Sequence, residues 1–183
     1  MSEVDYGPLA VLIGTWEGDN GMDISPEPNG HEDSPYFETI TYEAGGDLSN
    51  AKTQRLSIVP YVQIVRRKSN GEVFHHQTGY YLYDPADGTV MQSLVIPRGV
   101  CVLAGGKGTV SGDTTTIDVV ATAGKLDWGI LQSPFMEKNA KTMKFTHHTV
   151  VKGDVLTYSE STILDIYGKT FDHGDSNTLK RVI

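Results

Sequence analysis

At 183 residues, with 38% hydrophobic and 21% charged side chains, the chain has the composition of one globular domain spanning 1–183, not of a disordered segment. Its net charge of -8 argues against nucleic acid and anionic membrane surfaces as partners. No apolar run approaches the ~18 residues of a spanning helix. Cys101 is the single cysteine, which excludes an intramolecular disulfide, and the acidic N-terminus lacks the basic region of a signal peptide. A reducing, cytoplasmic location is therefore expected.

Val, Ile and Thr number 17, 11 and 18, against 8 Ala. Branched side chains suit a pleated surface and Ala suits a helix, so the fold class is all-β.

In chain order, Tyr6 to Ile13 is short and apolar and predicts one helical turn. Gly14 to Gly18 starts a strand. Ile24 to Pro35 holds Pro26, Pro28, Asn29, Gly30 and Pro35, which predicts a loop. Tyr36 to Ala44 alternates, with Tyr36, Glu38, Ile40 and Tyr42 on one face. Gly45 to Lys52 is polar and turn-like.

Leu56 to Arg67 is a strand in which Pro60 cannot donate to a ladder, so an edge or bulge is expected there. Ser69-Asn70-Gly71 predicts a hairpin turn into Glu72 to Tyr83. Strands follow at Thr89 to Ile96, Val100 to Val110 and Thr114 to Ala121, each bounded by Gly- or Pro-containing turns. Thr122 to Ala140 is less regular. Lys141 to Val151 and Val155 to Tyr167 are strands around Lys152-Gly153-Asp154. Gly168 to Asn177 is expected as a connection or bulge, and Thr178 to Ile183 closes the chain.

The result is about ten strands joined by short turns: a single antiparallel up-and-down β-barrel with a short N-terminal helical turn. Closure removes the unpaired edges. Small barrels commonly hold one small ligand, so the architecture leans towards binding.

Three segments resemble the nitrobindin family, the fatty-acid-binding-protein-like haem-binding β-barrels. Leu12-Ile13-Gly14-Thr15-Trp16-Glu17-Gly18 is similar to that family's opening motif. Gly71-Glu72-Val73-Phe74-His75-His76-Gln77-Thr78-Gly79-Tyr80 is similar to its Gly-x-Pro-(Leu/Met)-His strand. Gly168 to Arg181 resembles its C-terminal motif in a degraded form. The resemblance implies a barrel holding haem b, with iron on a histidine of the C-terminal segment. It also implies nitric oxide binding and ferric peroxynitrite isomerisation, hence a haem-dependent isomerase if the chain is an enzyme. It pairs Trp16 with Arg181 at one closed end, as in calycin-type barrels.

By the same resemblance His173 is the candidate iron ligand and His75 lies near the haem with Phe74 beside it. Aligned without a gap from Gly168 to Leu179, however, the motif sets its ligand at Gly174, so His173 serves only if a bulge or shift re-aims it. Asp175, Ser176 and Asn177 replace apolar residues there.

Strand alternation reads the second motif differently: Phe74, His76, Thr78, Tyr80 and Leu82 form the more apolar face, which puts His76 inside. Met143, Phe145 and His147 share a face, so His147 is expected inside in a structural role. No spacing completes a zinc site. Cys101 lies between Val100 and Val102 and is expected to be a buried, inert thiol. Asp84 and Asp87 read as turn formers.

Two functions of different class remain. One is a haem barrel acting on nitric oxide or peroxynitrite. The other is an intracellular carrier or sensor of a small apolar ligand without haem. A barrel acting only by protein contact is a third reading, against which a solvent-filled interior would argue.

Overall fold

The computed structural model describes residues 4–182. A 3₁₀ turn, Gly7–Leu12, precedes twelve strands: β1 (Gly14–Glu27), β2 (Gly30–Tyr42), β3 (Asp47–Ala51), β4 (Gln54–Arg67), β5 (Val73–Asp84), β6 (Thr89–Ile96), β7 (Val100–Ser111), β8 (Thr114–Thr122), β9 (Ile130–Gln132), β10 (Ala140–Lys152), β11 (Val155–Ile166) and β12 (Lys169–Arg181). One helix, α1 (Pro134–Asn139), lies between β9 and β10. Ser133 caps it, its Oγ accepting from the Met136 N–H, and Pro134 takes the first turn, where no donor is needed.

Ten strands close a ring in the order β2-β1-β12-β11-β10-β8-β7-β6-β5-β4, sealed by β2 pairing antiparallel with β4 from Tyr36↔Arg67 to Tyr42↔Tyr61. Short β3 adds to β4 and short β9 adds to β7, so neither belongs to the ring. The expected all-β barrel of about ten strands is what forms, and the 3₁₀ turn is the expected N-terminal helical turn.

Two segments differ from the sequence reading. Ile24 to Pro35 is not a loop: β1 and β2 continue as a hairpin to Pro28-Asn29, pairing Pro26 with His31 and Met22 with Pro35. Pro26 and Pro28 are tolerated because they lie beyond the reach of β12, and Pro35 lies just before β2 pairs with β4, where only its carbonyl is used, accepting from the Lys68 N–H. β12 leaves β1 at Ile24, and β4 meets β2 only from Tyr36. Nor is Gly168 to Asn177 a connection or bulge. β12 runs unbroken against β11 from Ile166↔Lys169 to Val155↔Lys180. The turn before it is only Tyr167-Gly168, both at positive φ (55° and 73°), a type I′ pair that fixes this register. At Pro60 there is neither a free edge nor a bulge: it pairs in register with Tyr80 on β5, and on its other side its carbonyl accepts from the Glu43 N–H at 2.9 Å, in the gap between β2 pairing and β3 pairing.

One end of the barrel is plugged. Trp16 is fully buried, and its indole N–H donates to Leu12 O at 2.7 Å. Trp16 pairs with Arg181 across β1 and β12, and the guanidinium stacks 4.1 Å from the indole centroid. Arg181 also donates to the carbonyls of Val11 (2.8 Å) and Ile13, satisfying the C-terminal end of the 3₁₀ turn. Above the plug sits an aromatic layer of Tyr42, Tyr61 and Tyr81, with ring centroids 5.5–6.1 Å apart. Gln77 and Gln92 donate to the Tyr61 hydroxyl at 2.7 and 3.1 Å. His147 meets Tyr81 OH and Gln92 at 3.1 and 3.0 Å, and burial pulls its pKa down to about 4.

Cys101 is exposed, contrary to expectation. Val100, Val102 and Ala104 are the buried residues of β7, so period two turns Cys101 outwards. Met143 does not share the face of Phe145 and His147 either. The β10–β11 register shifts between Thr142 and Lys144, and this bulge leaves Met143 exposed while Phe145 is buried.

Candidate functional site: a two-walled cavity

Away from the plug, the barrel opens into a cavity of about 870 Å³. That is within the range of small-molecule and cofactor sites. One wall is apolar and comes from β6, β7 and α1: Leu94, Ile96, Val100, Val102, Phe135 and Met136. The opposite wall, from β1, β11 and β12, is polar and acidic.

The inward residues of β12 are Leu179, Asn177, Asp175 and His173, by strict alternation from the fully buried Leu179. His173 therefore faces the cavity with no bulge in its own strand, and Gly174 lies on the other face. The irregularity is in β1. Both of its ladders shift by one residue between Gly18 and Gly21, so the buried phase passes from Trp16 to Asp23. At Gly21 an added Cβ would lie 1.9 Å from the Tyr36 ring, so only Gly lets this tyrosine lie flat over β1.

His173 Nε2 lies 2.6 Å from Asp23 Oδ1 and 3.5 Å from Asp175 Oδ2. Asp175 sits directly opposite Asp23 on β1 and Glu160 on β11. Burial works against charge on His173, but the hydrogen bond its Nε2–H donates to Asp23 and the fields of Asp175, Asp23 and Glu160 outweigh it, so its pKa is raised. Burial raises the pKa values of Asp175 and Glu160 as well. Beneath them lies Glu38, buried to 2% exposure, which accepts from Tyr158 OH (3.0 Å), Asn177 Nδ2 (2.7 Å) and Gln63 Nε2 (2.5 Å). Burial nevertheless raises its pKa. Tyr36 OH completes the network at 2.7 Å from Tyr158 OH.

On β5, His75, Gln77 and Tyr81 point inwards, and Thr78 and Tyr80 are exposed. The alternation reading that placed His76, Thr78 and Tyr80 inside is thus corrected. His76 is exposed, with an edge on the cavity lining. The cause is a bulge: β4–β5 register shifts between Val65↔His75 and Arg66↔Val73, leaving Phe74 as the extra residue. Phe74 consequently lines the cavity beside His75, edge-on to Tyr36 and under Arg67, whose guanidinium carbon is 4.5 Å from the ring centroid. His75 Nε2 has a long 3.3 Å contact with Gln77 Oε1, and burial lowers its pKa, favouring the neutral ring.

The sequence reading brought His173, His75 and Phe74 to one cavity. It missed Asp23, Glu38 and Glu160 as members of that site, whereas Asp175 was in view as a residue beside His173. Glu38 had a signal, since it alternates with Tyr36, Ile40 and Tyr42. Asp23 had none, because it lies beyond the β1 bulge in a segment read as leading into a loop.

A closed antiparallel barrel with one deep, two-walled cavity defines a small-ligand-binding barrel. The family model described as "THAP4-like, heme-binding beta-barrel domain" matches residues 5–181. The chain belongs to that family, in agreement with its nitrobindin-like motifs. A crystal structure of Rv2717c from M. tuberculosis shares the fold: TM-score 0.70, 22% identity, covering 96% of this chain and 95% of that one.

The family implies haem, and the cavity fits it in three respects. Its volume is of cofactor size, one wall is lined by apolar side chains of the kind a macrocycle face packs on, and two imidazoles, His75 and His173, face the interior. Arg67 and Arg98 line the same cavity and are suited to anionic side groups. No helix among the described residues is long and apolar enough to cross a membrane.

Proposed function

We propose that the chain acts as one barrel domain that holds haem b in this cavity and exposes it to nitric oxide or peroxynitrite. The cavity carries the reading: a family member of this length keeps an apolar wall and two inward imidazoles. Bound haem would supply an open iron position for nitric oxide when ferrous, and for isomerisation of peroxynitrite to nitrate when ferric.

The protein's own residues have separable tasks. Leu94, Ile96, Val100 and Met136 shed water from the ring and contribute the apolar part of affinity. Phe74 narrows the space beside His75. His75 is the imidazole free to take iron, since it is neutral and only loosely held by Gln77. His173, the ligand that the resemblance implies, takes iron only when Asp23 releases its Nε2.

Haem titration of His75→Ala and His173→Ala tests this assignment by the Soret band. Loss of the band in His75→Ala and its retention, shifted, in His173→Ala is the expected result. The reverse result moves the iron to His173, and retention in both contradicts the reading. Stopped-flow decay of peroxynitrite with and without the ferric holoprotein then tests the reaction. The second reading, a carrier of a small apolar ligand without haem, is favoured by the apolar wall alone and predicts no stoichiometric Soret band.

A further inference from the structure

We propose that Asp23, His173 and Asp175, with Glu160 beside them, form a non-haem site for a divalent first-row transition-metal cation in the wall of the cavity.

The observation is a row of carboxylates. Asp23, Asp175 and Glu160 stand directly opposite one another across β1, β12 and β11, all on the inward face. Like charges in directly opposed positions destabilise a sheet, and here the arrangement occurs twice in succession. A single imidazole, His173, faces the three of them. Among the described residues no hydrogen bond reaches the Asp175 carboxylate, and Glu160 has only a 3.4 Å contact from the Thr162 hydroxyl. Glu38, buried beneath them, is by contrast saturated by three donors of its own. Asp175 is therefore an acceptor without a hydrogen-bond donor, in contrast to Glu38 in the layer beneath it.

The donor atoms are already gathered. One nitrogen of His173 and one oxygen each of Asp23 and Asp175 lie within 4.8 Å of one another. Ligands bound at ~2.1 Å to one ion sit roughly 3–3.5 Å apart, so the 3.5 Å from Nε2 to Asp175 already suits a shared ion. The 2.6 Å from Nε2 to Asp23 opens slightly as the cation replaces the proton these two atoms share, and that proton leaves to solvent. One imidazole with carboxylates suits Mn²⁺, Fe²⁺, Co²⁺ or Zn²⁺ better than Ca²⁺, which prefers oxygen alone. The donors sit on continuous strands rather than loops, so the site is preorganised.

This inference is separate from the haem reading as assigned, in which iron goes to His75, and iron on His173 would instead compete with it for Nε2. Chelator-treated full-length protein is titrated with Co²⁺ and followed by its visible d–d bands, with Mn²⁺ electron paramagnetic resonance as a second probe. One saturable equivalent is expected. Asp23→Asn and Asp175→Asn should each weaken Co²⁺ at least roughly tenfold while far-UV circular dichroism stays that of the barrel. His148→Ala, at an exposed imidazole of β10 that meets only Asp118, should bind Co²⁺ as wild type does. Absence of saturable binding, or binding that survives both Asn variants, overturns the proposal. Failure of the haem reading shows separately, as a missing Soret band in protein that still binds one Co²⁺.

Discussion

At the scale of residues, the unusual property of this barrel is where it keeps its charges. Carboxylates in an interior are tolerated when protonated or paired, and Glu160, Asp175 and His173 all have pKa values raised above their ordinary ones. Each then binds more protons folded than unfolded. Stability must therefore fall as pH rises through the window from the ordinary to the raised value. Glu160→Gln removes one such group. In metal-free protein its melting temperature should fall less than that of wild type between about pH 5 and 9, as thermal unfolding would show. Parallel profiles would mean that Glu160 ionises freely. His147 has the opposite sign: its stabilisation is complete above 6.5 and is lost as pH falls towards about 4. An NMR titration should find its ring turning charged near 4, and a midpoint near 6.5 would place it in water. Of this chemistry the sequence showed the imidazoles and Asp175 but not the carboxylates brought in from other strands. His173, His75 and Phe74 lie within motifs, whereas Asp23 and Glu160 meet His173 only through strand pairing across 150 and 13 positions of chain.

At the scale of elements, the strands and hairpins were legible because their turn chemistry is local. Gly112-Asp113, Gly153-Asp154 and Ser69-Asn70-Gly71 all turn where Gly accepts positive φ. The phase of each strand was less legible, because bulges at Gly18–Gly21, Phe74 and Met143 each reverse the inward set, and a bulge leaves no mark on a period-two pattern. The β1–β2 hairpin was hidden by prolines whose partnerless sides depend on where β4 and β12 end. Two substitutions test the packing. Trp16→Ala should cost about 3–5 kcal/mol in denaturant unfolding, since it empties the plug and strips the stacking partner from Arg181. A loss below about 1 kcal/mol would mean that the plug carries no core. Gly106→Ala places a Cβ 1.8 Å from the backbone oxygen of Asp118 on the paired strand. Only a backbone shift relieves that contact, so a loss of at least ~2 kcal/mol is expected, and a neutral variant would show that β7 and β8 stand further apart.

At the scale of the whole molecule, closure and cavity are linked. The ring needs a plug at one end only, supplied by the 3₁₀ turn, Trp16 and Arg181. The residues between plug and cavity change from aromatic, to hydrogen-bonded carboxylate, to the open wall of Asp23, Asp175 and Glu160. An interior of about 870 Å³ is difficult to reconcile with a barrel that acts only by surface contact. The central claim is that this interior takes up haem. The most direct test is titration of the purified full chain with haemin, following the Soret band. The account predicts a sharp band that grows linearly and breaks at one equivalent. A gradual, non-saturating rise like that of haemin on an unrelated surface would contradict it.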